Sequence, residues 1–252
     1  MDKAGFIKTF LEEDSYRMAK LFESLERAKS FSYFFYTDEF YTPGVWSRIK
    51  EMKDYRDIEI LGEDFFERKI FAVNFDGYNP LSILEIEPLD PRITLTHRDY
   101  LGAVMSLGIE REKFGDIFLK DGKAYLVVLD SMADYIRSNL SQIGRTSVSV
   151  TKFDYDEKVL FLQPNLIRRE AVIASLRLDV VVAELAKTSR SKALEMIQRG
   201  MVLLNYHETR DKAKEIKDGD TVTIRRKGKF KIGQILGTTQ KGNLRIVFYQ
   251  FE

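Results

Sequence analysis

Within residues 177–205, RLDVVVAELAKTSRSKALEMIQRGMVLLN, arginines, lysines and serines fall where they can face one anion. Arg177 and Arg190 offer planar guanidinium forks that match phosphate oxygens two at a time. Ser189 and Ser191 add hydroxyl donors, and Lys187 and Lys192 add longer-range charge. If Ser189-Arg190-Ser191-Lys192 opens a helix, free backbone N–H groups and the helix dipole join them. That set suits phosphate recognition. A second basic run, Arg225-Arg226-Lys227-Gly228-Lys229, surrounds a glycine turn and suits contacts that track a phosphodiester backbone. Its other reading is a solvated hairpin tip. Arg199 is open between a ligand contact and a solvated helix-end cation.

Two helices must position the first set. Val180, Val181, Leu185, Leu194 and Ile197 recur at three- and four-residue spacing, so each half buries one helical stripe. Thr188 and Ser189 fit the N-cap of a helix over 190–199, and Gly200 fits its stop. Upstream, residues 1–30 read as helix, with Phe6, Phe10, Tyr16, Leu21, Phe22 and Leu25 as an interrupted stripe and Ser15 as an internal cap. The segment 31–44 holds Phe31, Tyr33, Phe34, Phe35, Tyr36, Phe40 and Tyr41, which are either core or a base-stacking surface. Thr42-Pro43-Gly44 starts a helix through Trp46 and Ile49, and strands at 58–61 and 69–74 complete a first α/β unit.

The middle third alternates more cleanly: strand 82–88, helix 96–108, strands 114–122 and 123–130 about an Asp-Gly turn, helix 131–143 and strand 146–153. This β-α-β-β-α-β order is the split βαβ arrangement of ferredoxin-like and RRM domains. The class is therefore α/β (α+β), with an N-terminal α/β domain at 1–76, a ferredoxin/RRM-like domain at 77–165 and a C-terminal domain at 168–252. Strands at 228–237 and 244–252 close the last. The strand 123–130 offers only Tyr125 among aliphatics, so RRM-style base stacking is not expected. Arg98, Arg111 and Lys113 are the candidates for an RNA surface here, with Asp99, Glu110 and Glu112 as competing partners.

Composition narrows the functions. The 252 residues contain no cysteine and two histidines, so thiolate chemistry is excluded and a metal centre is not expected. No run of 18 apolar residues exists and the N-terminus is not a signal peptide, so a cytoplasmic protein without a membrane partner is expected. The net charge of +1 conceals a division. Residues 168–252 carry 18 Lys+Arg against 10 Asp+Glu, a net of +8, which leaves −7 on residues 1–167. Such asymmetry places nucleic-acid contact in the C-terminal third. No G-x-G-x-x-G and no Walker A loop is present, so no cofactor or small-molecule substrate is expected. His97 beside Asp99 is open between acid-base work, starting a helix and touching RNA.

The C-terminal pattern resembles the S4 RNA-binding module. Arg177-Leu178-Asp179, Ser189-Arg190-Ser191 with Ala193, Gly200-Met201-Val202-Leu203-Leu204-Asn205 and Gly219-Asp220-Thr221-Val222-Thr223-Ile224 follow its order and spacing. Tyr206 stands where the module usually has glycine, and Asp211-Lys212-Ala213 replaces its common Lys-Pro-Ser. Thr96-His97-Arg98-Asp99-Tyr100-Leu101-Gly102, with Gly108-Ile109-Glu110-Arg111-Glu112-Lys113-Phe114-Gly115-Asp116, resembles the central signature of the YlmH family of bacterial S4 proteins. Tyr36-Thr37-Asp38 before Thr42-Pro43, and Glu67-Arg68-Lys69, resemble that family's N-terminal domain, whereas 61–66 lacks its glycines.

The resemblance implies a non-catalytic RNA-binding monomer whose partners are ribosomal RNA of the large subunit and tRNA. It also implies a part in ribosome-associated quality control, in rescue of stalled subunits that still hold peptidyl-tRNA. The family's "cell division" label follows its gene neighbourhood. Two other readings compete: an RNA-modifying enzyme akin to pseudouridine synthases, and a cell-division adaptor using the acidic N-terminal half. Arg177-Leu178-Asp179 lacks the preceding glycine of the synthase motif, so Asp179 is read as an orienting or capping group.

Overall fold

The N-terminal apolar stripe makes two helices where one was expected. Asp2 caps α1 (Lys3–Thr9) by accepting from Gly5 N at 2.8 Å. Asp14 begins α2 (Ser15–Phe31) by accepting from Arg17 N at 2.7 Å, so the cap precedes Ser15 by one residue. The computed structural model describes residues 1–31 and 33–251, apart from the Phe31 side chain. Of the sequence expectations, the Phe31 ring, Ser32 and the final residue of the strand 244–252 lie outside the described residues. Residues 1–163 and 164–252 form two compact units, and the expected boundary at 76/77 falls inside the first.

In the first unit, β1 (Phe35–Tyr36), α3 (Pro43–Glu51), β2 (Glu59–Leu61) and β3 (Ile70–Val73) follow, with an antiparallel sheet in the order β1-β3-β2. Phe40 and Tyr41 are buried, Phe34, Phe35 and Tyr36 are half-buried, and Tyr33 is exposed. Next come β4 (Leu81–Pro88), α4 (His97–Ser106), β5 (Phe114–Lys120), β6 (Lys123–Leu129) and α5 (Asp130–Asn139). β7 (Gln142–Ile143), β8 (Thr146–Asp154) and α6 (Tyr155–Lys158) complete the unit. The strand order β5-β6-β4-β8-β7, all antiparallel, is the split βαβ sheet with a short hairpin added. The helix expected over 131–143 stops at Asn139. Leu140 and Ile143 extend the helical period because both enter the same core, but Gln142–Ile143 pairs back onto Thr146 and Ser147.

Both faces of this sheet are covered. Leu84, Ile86, Leu126 and Val128 meet Tyr100, Val104, Ala133 and Ile136 of the helices. Leu81, Ile83, Tyr125, Val127 and Leu129 meet Phe40, Phe66 and Ile70 from the N-terminal segment. Tyr125 is 3% exposed, so this face offers no base-stacking platform. Gly115 marks how close the join is: a Cβ there would stand 2.9 Å from the Phe40 ring and 3.1 Å from Val127 Cβ.

The second unit starts with β9 (Leu166–Ile173), then α7 (Leu178–Leu185) and α8 (Arg190–Gln198). β10 (Val202–Leu204), β11 (His207–Glu208), β12 (Thr221–Ile224), β13 (Gly228–Thr238) and β14 (Leu244–Phe251) follow. They form one antiparallel sheet in the order β11-β10-β12-β13-β14-β9. One face packs on the helices through Leu178, Val181, Val182, Leu185, Ala193 and Ile197 against Val222, Ile224, Ile246 and Phe248. Met196 joins that core, while Leu194, expected in the stripe, is half-buried outside it. The architecture of the chain is a mixed α+β fold.

Candidate nucleic-acid interface

The turn between α7 and α8 is set by local chemistry. Gly200 adopts φ +67 beyond α8, and Ser189 caps its start by accepting from Lys192 N at 3.3 Å. Lys187 takes a left-handed φ of +50 just before the cap, which turns the chain within four residues. The α7 start is tied to the strap that follows β11, where the carbonyls of Lys214 and Lys212 accept from Leu178 N at 2.9 Å and Asp179 N at 3.1 Å.

Asp179 is the hub of the site. Its side chain is 1% exposed and accepts from both arginines that the sequence singled out. Arg177 approaches with Nε at 3.1 Å from Oδ1 and Nη2 at 3.3 Å from Oδ2, and Arg190 with Nε and Nη2 at 2.9 and 2.8 Å from Oδ2. Two unit charges about 4 Å apart near a protein surface repel by about 4 kcal/mol before screening, so side-by-side guanidiniums need a counter-charge. Burial pushes the Asp179 carboxyl up, but Arg177 and Arg190 outweigh it and hold it below the ordinary carboxylate value. The guanidinium side chains remain 40% and 57% exposed, and each keeps donors that Asp179 does not use. The result is a fixed pair of forks beside a helix N-terminus.

The other candidates divide. Ser191 and Lys192 are exposed on the first turn of α8, and Lys192 has no carboxylate partner among the described residues. Lys187 is exposed and pairs with Glu184. Arg199 pairs with Glu195 at 2.7 Å. Arg225, Arg226 and Lys227 are exposed at the tip joining β12 to β13, and Arg226 holds φ +66. Lys229 is half-buried and stands over the rings of Tyr206 and Phe251 at 4.8 and 5.0 Å. Asn205 and Tyr206, at φ +49 and +70, turn β10 into β11. The Asn205 amide joins that turn to β12, donating to Asp220 Oδ1 and accepting from Thr221 N at 2.8 Å each.

In the first unit, the three basic candidates are not brought together. Arg98 is exposed on α4, and Asp99 does not pair with it: Asp99 accepts from Thr96 N and Thr96 Oγ1 at 2.7 Å each, a cap. Arg111 turns inward and donates to the carbonyls of Phe114 and Gly115 at 2.7 and 3.0 Å. Burial, and then Arg68, disfavour its charged form. Lys113 pairs with Asp38 at 2.7 Å and Glu39 at 3.7 Å. Asp116 accepts from Glu67 N and Arg68 N at 2.7 and 3.2 Å, closing the same join. His97 is exposed at the start of α4.

Sequence reasoning missed the strap at 212–214 and the cleft of about 420 Å³ between Leu204, Asn205, Lys214, Glu215, Lys217 and Asp220. The Gly-Asp and Asn residues of the motif were its available signal. Among the described residues no helix is long and apolar enough to cross a membrane.

Known proteins resemble this chain in sequence. A family model described as "Putative RNA-binding domain in YlmH" matches residues 78–157, and the S4 domain matches residues 176–222. The chain is 32% identical over 168 residues to "Ribosome-associated protein quality control protein P2" of Bacillus subtilis (strain 168). That alignment spans 67% of this chain and 65% of the relative, just under two thirds of its length. A solved structure, "Cell division protein ylmH from Streptococcus pneumoniae", is 25% identical with a TM-score of 0.44, covering 55% of this chain and 90% of that one.

Proposed function

The chain belongs to the YlmH family of S4-domain RNA-binding proteins, and on that premise we propose that it binds the large ribosomal subunit through ribosomal RNA and tRNA. The observation that carries the reading is the Arg177–Asp179–Arg190 cluster beside the α8 N-terminus. It is a phosphate clamp of two guanidinium forks held by one carboxylate, which suits RNA recognised by shape and backbone. Ser189, Ser191, Lys187 and Lys192 extend the clamp. Arg225, Arg226, Lys227 and Lys229 track the backbone further along. Arg98 is the first-unit residue best placed for RNA, while Arg111 and Lys113 serve the join between segments. The Bacillus subtilis relative is named for ribosome-associated quality control. The proposed role is the same: a non-catalytic, monomeric cytoplasmic factor that engages stalled subunits still holding peptidyl-tRNA.

Sucrose-gradient sedimentation of lysate tests this. The wild type is expected to migrate with free large subunits, and Arg177→Ala/Arg190→Ala to stay at the top. In purified binding, each phosphate contact removed should flatten the salt slope by about one unit. Wild-type protein that stays at the top at low salt would sink the ribosomal reading.

A further inference from the structure

Gly108 ends α4 at φ +82, and the turn it makes sends Ile109 into the core and leaves Glu110 exposed. Tyr135 of α5 reaches across and donates its hydroxyl to the carbonyl of Leu107 at 3.0 Å. Beside this contact lies a cleft of about 660 Å³ that residues of both segments line. We propose that the cleft docks a segment of a partner protein in which arginine or lysine alternates with apolar side chains.

The lining sets the apolar half of the match. Ile109 and Leu129 line the cleft from the core, and Leu107 and Met132 are half-buried beside them. Tyr135 is 47% exposed, which leaves ring surface on which an arginine can stack. A cleft of this size takes several side chains of a peptide.

Charge sets the other half. Asp38, Glu110 and Lys113 are the charged residues that line the cleft. Lys113 pairs with Asp38 at 2.7 Å and Glu39 at 3.7 Å, and Lys20 pairs with the same two carboxylates at 3.6 and 3.2 Å. These pairs close on one another, which leaves the Glu110 carboxylate without a cation among the described residues. A phosphate here would meet an unpaired carboxylate and a lysine already engaged, whereas a guanidinium or ammonium finds a counter-charge. Residues 1–167 carry a net of −7, a field that draws basic protein and repels RNA. The RNA-binding family match over 78–157 covers most of this lining. The inference assigns protein to this face, and it does not rest on the Arg177–Arg190 clamp.

The test uses the full chain with isotope-labelled methionine methyl groups, Met132→Leu identifying the signal of the methionine in the cleft. Two labelled probes are titrated separately, a short peptide alternating leucine and arginine and a blunt RNA hairpin, with affinities read by fluorescence anisotropy. The peptide is expected to shift the Met132 signal saturably, and the hairpin to leave it in place. Glu110→Lys is expected to weaken the peptide by about fivefold or more and to keep hairpin binding. Glu12→Lys reverses an exposed charge that does not line the cleft, and is expected to change peptide affinity by less than about twofold. A Met132 signal that the peptide does not move overturns the docking site. Peptide affinity unchanged by Glu110→Lys, or lost equally in Glu12→Lys, overturns it too, since net charge alone would then hold the peptide. A Met132 shift caused by the hairpin overturns protein as the occupant. Should Glu110→Lys unfold, Glu110→Gln decides: a several-fold loss supports the site, and unchanged affinity overturns it.

Discussion

Asp179 is a carboxylate that burial alone would drive toward protonation, and two arginines keep it charged. Replacing it by asparagine raises the positive charge of the unit but removes an acceptor that both guanidiniums share. Folding stability is expected to fall by about 1–3 kcal/mol in urea titration, because polar groups at a buried site lose partners. RNA affinity is expected to fall several-fold at fixed salt despite the added charge. Tighter binding by Asp179→Asn would mean that charge alone, without alignment, holds the RNA. The pH dependence follows in sign. A depressed folded-state pKa contributes stability that is complete above the unfolded value of about 3.9 and lost as pH falls through the lower folded one. Wild type and Asp179→Asn should therefore differ most near neutral pH and converge in acid. At this scale the grouping of Arg177, Asp179 and Arg190 was legible, since all three lie within one motif and the structure pairs both arginines with Asp179. It could not show that Lys113 is engaged, because its partner Asp38 lies 75 residues away.

The α7–α8 turn lets a cap be separated from a contact. Ser189→Ala removes the acceptor for Lys192 N and is expected to cost about 1 kcal/mol in urea unfolding. Ser189→Asp keeps the cap, and the helix dipole favours it, so stability should stay near wild type. Its carboxylate beside Arg190 and Lys192 should nevertheless weaken RNA binding in the same anisotropy assay. Retained affinity in Ser189→Asp would show that phosphate does not approach this N-terminus. Helices and strands with a clean period were legible, as in β4 through β6. The strand β9 was not: Arg168-Arg169-Glu170 interrupts its pattern, and an edge strand, paired among the described residues with β14 alone, tolerates that interruption. The split of α1 from α2 was hidden because Phe6, Phe10, Leu21 and Leu25 are all buried at helical spacing, although Tyr16, expected in the same stripe, is exposed. The turn at 10–13 and the Asp14 cap separate the helices.

For the whole molecule, the charge division of +8 against −7 follows the two compact units closely, the boundary being at 163/164. Residues 164–252 own a complete core, so that fragment is expected to give one cooperative urea transition and to keep hairpin binding. A fragment cut at 76/77 should behave differently. Its sheet would lose Phe40, Phe66 and Ile70 from one face, exposing Leu81, Ile83 and Val127. Dye binding to that fragment, without a cooperative melt, is the expected result. Loop-sized composition changes do not mark this join, which is why three domains are readable in the sequence where packing makes two units.

The arginine pair has a further consequence, in time. Each guanidinium side chain loses up to about 2 kcal/mol of rotamer entropy when fixed, and here Asp179 imposes that loss during folding. On the proposed reading, the field of the basic unit would govern how often RNA is met, and the locked forks how long it stays. Freeing the arginines should leave encounter rates high and shorten the lifetime of each complex.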